Sequence, residues 1–152
     1  MVNIHIQQIV QKASELKDKH TTEKDAPVNY ACIFSQSEKE YRDLEQEISK
    51  MGKVVQETKM GNVYLLTEPI ETVAGPVRII KIRKPDPTRP ERGDADFTVS
   101  DYRKFKREYL HTPGFSLMER PEMEMIELVN QQFDVRAYFS HPILAEVLKI
   151  TL

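Results

Sequence analysis

The sequence predicts an α+β fold made of two tandem βαβββ modules that together form one cupped, mixed β-sheet. Three observations lead to this prediction. The order strand, helix and three strands occurs twice along the chain. A proline-rich segment separates the two occurrences, and an amphipathic helical segment precedes the first. The predicted divisions are 1–27 for the N-terminal helix and connection, 28–83 for the first module, 84–93 for the linker, and 94–152 for the second module with a C-terminal helix.

The composition excludes several classes of partner. The 152 residues include 22 Lys or Arg and 24 Asp or Glu, which gives a formal net charge of -2. We therefore expect neither nucleic acid nor a membrane surface as a partner. The single cysteine, Cys32, leaves no internal disulfide, and the first 20 residues lack the apolar core of a signal peptide. These features favour a cytoplasmic protein.

The N-terminal segment is predicted to be an amphipathic helix. Its apolar residues recur at helical spacing: Ile6, Ile9, Val10, Ala13 and Leu16. The polar run that follows ends at Pro27, which indicates a connection to the first module.

The first module opens with "VNYACIF" (28–34), whose β-branched and aromatic residues predict a strand. Ser37 and Glu40 stand at capping-box spacing and predict the start of a helix, and Gly52 is predicted to end it. Three strands are predicted to follow at "KVVQETK", "NVYLLTE" and "PVRIIKIRK". The segment "PIETVAG" is predicted to separate the last two.

The linker contains the tripeptide Arg92-Gly93-Asp94, which adhesion receptors recognise in other proteins. Nothing in the sequence signals export, so we interpret the tripeptide as part of a connector. Prolines 85, 87 and 90 are expected to keep this connector extended and stiff over the surface. Gly93 is expected to let the chain turn into the second module.

The second module repeats the order of the first. "DADFTV" predicts a strand, and "SDYRKFKREYL" predicts a helix capped by Ser100 or Asp101. Three strands follow at "FSLMER", "EMEMIELV" and "FDVRAYF", and His141-Pro142 is predicted to begin a closing helix with Pro142 in its first turn. Tyr30 and Asp96 occupy matching positions, 66 residues apart.

Two tandem βαβββ modules resemble the vicinal-oxygen-chelate superfamily of glyoxalases, bleomycin-resistance proteins and extradiol dioxygenases. Within it, the chain is most similar to the YecM-like group, which also places helical sequence before the first module. The resemblance is carried by "VNYACIF", by "GNVYLLTEPIETVAGPVRIIKIRKPDPTRPERGDADFTV" and by "FDVRAYFSHPILAEVL". It implies modules that cover about residues 28–150 and that pair across subunits in a homodimer.

The resemblance also implies a divalent metal held by the first and last strands of each module, usually through His, Gln and Glu. In this sequence those positions fall on Tyr30, Lys81, Asp96 and Arg136. Only Asp96 is an ordinary ligand, and two permanent cations oppose a metal ion. No metal cofactor is therefore favoured. If a divalent metal is bound, the remaining donors are Asp96, His141, Asp134 and His111.

The substituted positions predict an anion site instead. Strand alternation places Lys81 on the face opposite Ile80 and Ile82, and Arg136 on the face opposite Val135 and Ala137. If the apolar residues pack under the helices, the polar faces line the cup, where Lys and Arg can bind a carboxylate or phosphate. The predicted contacts with a small anionic ligand are Lys81, Arg136, Asp96, Tyr30, Arg83 and Tyr138.

Three alternatives remain open at this stage. In the first, Asp96 only pairs with Arg136 or Lys81 and satisfies a polar interior, a role that can coexist with ligand binding. In the second, the chain is a non-catalytic interaction module with a filled cup, and the N-terminal helix or a sheet edge meets a partner. The third alternative is a metal-dependent lyase, isomerase or dioxygenase with atypical ligands. The residues do not decide whether the protein is an enzyme, because a fold supports many activities.

Overall fold

The structure, a computed structural model, describes all residues from Met1 to Leu152. The helices are α1 (Val2–His20), α2 (Glu38–Ser49), α3 (Tyr102–Tyr109) and α4 (Leu144–Val147). The strands are β1 (Val28–Phe34), β2 (Gly52–Thr58), β3 (Gly61–Thr72), β4 (Gly75–Arg83), β5 (Gly93–Phe97), β6 (Phe115–Glu119), β7 (Glu124–Leu128) and β8 (Arg136–His141). None of the four helices has the length and apolar character needed to span a bilayer.

All eight strands form one mixed sheet in the order β2-β3-β4-β1-β5-β8-β7-β6. In each half, the first strand of the module pairs in parallel with its last strand, β1 with β4 and β5 with β8. The halves join through the antiparallel pair β1–β5, where Tyr30 lies directly opposite Asp96. The matching positions of the two modules therefore meet at the centre of the sheet. The predicted α+β fold of two βαβββ modules in one sheet is confirmed.

The main core lies between the helices and one face of this sheet. Helix α1 contacts strands β1, β3, β5 and β8, and α2 contacts β2 and β4. The four residues predicted to pack under the helices, Ile80, Ile82, Val135 and Ala137, are all fully buried in this core. Burial of an Ile or Val side chain contributes about 1.5–3 kcal/mol to folding. The opposite, polar face of the same strands is thereby directed into the cup.

The caps of α2 and α3 follow from local sequence. The Ser37 side chain accepts a hydrogen bond from the Glu40 backbone N–H at 3.1 Å, which confirms the predicted start of α2. The Glu40 carboxylate accepts from the Gln36 N–H at 2.8 Å, one residue before the position that a capping box uses. Of the two predicted caps of α3, Asp101 is the one that accepts from the Lys104 N–H.

Gly52 does not end α2, contrary to the prediction. It is the first residue of β2 and pairs with Leu66 of β3. A Cβ atom at this position would lie 2.2 Å from the backbone oxygen of Leu65. The glycine is therefore required by the close approach of two strands.

Strand β3 also runs further than predicted, through Pro69 to Thr72, so the turn before β4 contains only Val73 and Ala74. The β3–β4 register shifts between Leu65 and Ile70, so the ladder is interrupted around the proline. Proline, which has no N–H to donate, is tolerated at such an irregularity.

Gly93 and Asp94 are buried in β5, so the connector spans residues 84–92. Gly93 does not turn the chain as predicted. A Cβ atom there would lie 2.2 Å from the backbone oxygen of Cys32, and only glycine allows the two central strands to approach. Arg92 pairs with Glu40 at 3.1 Å. Gly93 and Asp94 are thus part of the folded sheet, and the tripeptide is not an exposed loop.

Pro142 lies outside the closing helix, contrary to the prediction. Helix α4 begins after the N-cap residue Ile143, and the His141–Pro142 peptide bond is cis. The segment after β8 lies on the cup side of the sheet. There Ala145 packs with Val63 and Ile79 in a second, smaller core. The C-terminal segment thus covers the part of the cup that faces the first module.

Candidate functional site

A cavity of about 410 Å³ lies in the cup, on the sheet face opposite α1 and α2. Side chains from β1, β4, β5 and β8 form its polar floor. The linker, the β6–β7 hairpin and α4 form its walls. Both modules therefore contribute to one cavity.

The structure brings five of the six predicted ligand contacts together around this cavity. They are Tyr30 on β1, Lys81 and Arg83 on β4, Asp96 on β5 and Tyr138 on β8. Their common orientation follows from strand alternation, since each of them has at least one strand neighbour in the helical core: Ala31, Ile80, Ile82, Ala95, Phe97, Ala137 and Phe139.

Arg136, the sixth predicted contact, is not among the residues that line the cavity. Its Nε lies 3.0 Å from the Glu91 carboxylate, and its Nη1 donates to Glu127 at 3.1 Å. All three side chains are 13–15% exposed. The predicted pairing of Asp96 with Arg136 or Lys81 is also not observed. The guanidinium is instead held between two other carboxylates.

Asp96 is buried and fully engaged by neighbouring donors. Its Oδ1 accepts hydrogen bonds from the Ser140 N–H and the Asn29 side-chain amide, both at 3.2 Å, and its Oδ2 accepts from the Ser140 hydroxyl. Burial raises the pKa of Asp96 to about 6, although these hydrogen bonds oppose the shift. The carboxylate is thus positioned as a structural part of the floor.

Asp94 is a second buried carboxylate in the floor, and sequence reasoning missed it. It is 7% exposed, and its Oδ1 is buried without a hydrogen-bond donor. Burial, together with the nearby Asp96, raises the pKa of Asp94 to about 7 against the opposing effect of neighbouring cations. The alternation in "DADF" was the available signal, because it places both aspartates on one face of a strand.

Lys81 is the only one of the predicted cations without a charged partner. None of the ion pairs in the structure includes it. Burial lowers the pKa of its ammonium group. Arg83, next on the same face, pairs with Asp86 at 3.0 Å through Nη2, while its buried Nε has no partner. Both cations therefore retain donors for an additional acceptor.

The linker supplies a third cation, Arg89, which sequence reasoning also missed. Its Nη1 donates to the Tyr138 hydroxyl at 3.2 Å, and that hydroxyl donates to Glu127 at 2.5 Å. The Arg83 and Arg89 guanidinium groups both lie about 6 Å from the Phe34 ring centre, at 6.0 and 5.9 Å. No local pattern marked Arg89, because its position depends on how the linker folds back over the sheet.

The potential metal ligands do not converge. His141 is exposed and stacks on Tyr102 with ring centres 4.9 Å apart, while His111 and Asp134 are also exposed. The structure contains no group of three or more His, Cys, Asp or Glu side chains that could hold a metal ion. With Asp96 occupied by Ser140 and Asn29, the donor set does not fit the metal site that the resemblance implied.

Comparisons with known proteins support the fold. No family model and no curated protein matches the chain. Among solved structures, a structural-genomics target called Protein EC4020 is similar with a TM-score of 0.71 and 12% identity, covering 95% of this chain and 87% of that chain. A glyoxalase I mutant from Zea mays has a TM-score of 0.41 and 17% identity, covering 76% of this chain and 43% of that chain, a similarity too distant to carry an argument. The match to Protein EC4020 thus extends over nearly the whole chain and concerns the fold alone.

Proposed function

We propose that this chain is a vicinal-oxygen-chelate-fold protein, of the YecM-like type, that binds a small anionic molecule in the cup. The observation that carries the proposal is Lys81, a half-buried cation that faces the cavity and has no charged partner. A buried charge is costly unless it is paired, so an unpaired cation in a cavity favours an anionic ligand.

The surrounding side chains support the same ligand charge. Arg83 has a buried Nε without an acceptor, and Arg89 contributes a guanidinium that is only partly used by Tyr138. Arginine offers planar, paired donors that match a carboxylate or phosphate, and lysine adds a mobile point charge. The cavity volume of about 410 Å³ is within the range of small-molecule sites, roughly 300–1,000 Å³.

The proposal replaces Arg136 by Arg89 as the second cationic contact. Arg136 already has two carboxylate partners, so binding an additional anion would require it to release one of them. Arg89 has no carboxylate partner and lines the cavity. In this proposal the position that binds a metal in the superfamily holds no metal, and the ligand is bound through side chains alone.

One observation favours a second candidate, the non-catalytic interaction module. Helix α4 and the residues around it fill the part of the cup next to β3 and β4, through Ala145, Leu144 and Ile150. In this alternative the remaining cavity holds only water, and the protein acts through its outer surface.

The test is a thermal-shift titration of the wild-type protein, Lys81→Gln and the matched control Lys59→Gln with phosphate, small carboxylates and divalent metal ions. Lys59 is exposed in the β2–β3 turn. We expect stabilisation by an anion that Lys81→Gln removes and Lys59→Gln retains. Stabilisation by no anion would favour the interaction module. Stabilisation by a divalent ion that is lost in Asp96→Ala would restore the metal-dependent alternative.

A further inference from the structure

We propose that the cup selects a ligand with two polar functions, an oxyanion and a hydroxyl or ammonium group, joined to a short apolar chain. This inference rests on the proposed anion site and specifies the class of molecule that the site takes. Three features of the cavity carry it: an unpartnered acid, its separation from the unpartnered cation, and an apolar wall.

The unpartnered acid is Asp94. Its Oδ1 is completely buried and accepts no hydrogen bond, although buried polar atoms in folded proteins are nearly always satisfied. Arg136, directly opposite Asp94 on β8, does not serve it because its guanidinium is held by Glu91 and Glu127. Asp94 is 7% exposed and lines the cavity, so a ligand there can donate a hydrogen bond to the part of its carboxylate that remains accessible. A hydroxyl or an ammonium group can donate this hydrogen bond, and a simple anion cannot.

The separation between Asp94 and Lys81 sets the spacing of the two ligand functions. Both residues pair with Cys32, from the two opposite sides of β1, so they lie in one row across the sheet. Neighbouring strands are about 4.8 Å apart, which places the two backbones roughly 10 Å apart. The two side chains do not form an ion pair, and the buried Cys32 lies between them. A ligand in this row contacts the cation at one end and the carboxylate at the other.

The third feature is a wall of apolar side chains that lines another part of the cavity. Met118, Met123 and Met125 from the β6–β7 hairpin line the cavity together with Leu144 and Val147 from α4, and the exposed Arg120 and Glu122 of the hairpin also border it. Methionine side chains are flexible and polarisable, so they adapt to chains of different shape. Polar groups at the floor and methionines at the wall together fit a short amphiphilic acid and disfavour a small inorganic anion.

The experiment compares probes of equal chain length by calorimetry and by NMR shift perturbation at pH 8. The probes are hexanoate, which has only the anion, and 3-hydroxyhexanoate, 6-hydroxyhexanoate and 6-aminohexanoate, which add a donor at a short or a long separation from the carboxylate. We expect at least one of the donor-bearing acids to bind about tenfold or more tightly than hexanoate, the gain that one charge-assisted hydrogen bond supplies. Asp94→Leu should erase this preference and leave the affinity for hexanoate unchanged or improved.

Two controls keep the outcome interpretable. Asp25→Asn changes an exposed carboxylate and should retain the preference, and the nearly isosteric Asp94→Asn replaces Asp94→Leu if the latter does not fold. Equal affinity for hexanoate and all the donor-bearing acids would overturn this inference and leave the anion site intact. If the preference for a donor-bearing acid persists in both Asp94 variants, the inference is also overturned and the anion site is left intact. Binding of none of the four acids, while phosphate still stabilises the protein through Lys81, would overturn this inference alone. Binding of no anion at all, phosphate included, would overturn the proposed function as well.

Discussion

Replacing Asp94 by Asn should stabilise the protein at alkaline pH, because the native carboxylate is ionised there in a buried position. Asp94 is 7% exposed, and its Oδ1 has no donor. The substitution keeps the shape of the side chain and removes the charge. A residue that lowers stability in its native position is expected where a protein keeps a group for binding.

The magnitude follows from the pKa of the folded state. Burial raises the pKa of Asp94 from its ordinary value of 3.8 to about 7. Because the folded state binds the proton more tightly than the unfolded state, the contribution of Asp94 to the free energy of unfolding is fully present below pH 4. This contribution is lost as the pH rises towards 7. At 1.36 kcal/mol for each pKa unit, the ionised group costs roughly 4 kcal/mol at pH 8 and roughly 2 kcal/mol at pH 5. Asp96, with a pKa of about 6, acts in the same direction.

The assay is urea denaturation of wild type, Asp94→Asn and the exposed control Asp25→Asn at pH 5 and pH 8. The new amide also lacks a hydrogen-bond partner, at a cost of about 1–2 kcal/mol. We therefore expect Asp94→Asn to raise the free energy of unfolding by about 2–3 kcal/mol at pH 8, with little change at pH 5. Equal or lower stability of Asp94→Asn at pH 8, with the pH dependence of the wild type retained, would refute the reasoning.

Three further predictions concern the residues around the cup. Arg136→Met should lower the free energy of unfolding by about 2–4 kcal/mol in urea denaturation, because it leaves the partly buried carboxylates of Glu91 and Glu127 without their cation. A loss below about 1 kcal/mol would contradict this. Gly93→Ala should cost on the order of 3 kcal/mol or prevent folding, because its Cβ would lie 2.2 Å from the Cys32 backbone oxygen; circular dichroism unchanged from wild type up to the wild-type Tm would show that the strands can separate. Burial raises the pKa of the Cys32 thiol, so a thiol reagent should label Cys32 only when the protein unfolds, and rapid labelling of native protein would disprove its burial.

The fold could be predicted because its signals are local and repeated. Alternation placed Ile80 and Ile82 on one face of β4 and Lys81 on the other, and the structure has the same division. Ser37 and Asp101 mark helix starts through side-chain chemistry that acts within three residues. Patterns of this kind depend little on the rest of the chain.

The predictions that were wrong concern residues whose roles depend on contacts between segments that are distant in the sequence. In the sequence, Gly52 and Gly93 cannot be distinguished from glycines in turns. In the structure each is required because the backbone of a neighbouring strand leaves no room for a Cβ atom. Arg136 has the right face and charge for the anion site, yet Glu91 from the linker and Glu127 from β7 engage it. Arg89 reaches the cavity only because the linker folds back. Such pairings are determined by the tertiary structure, so no local sequence pattern predicts them.

The linker contributes both to the lining of the cavity and to the ion pairs beside it. Residues 84–92 lie outside every strand and helix, yet Arg89 lines the cavity and Glu91 holds Arg136. If the cup binds an anion as proposed, a substitution of a linker side chain such as Arg89 can change the ligand preference without altering a strand register, whereas a change in the floor must also preserve the sheet. Differences in ligand preference between related proteins are therefore expected first in the connector that joins the two modules.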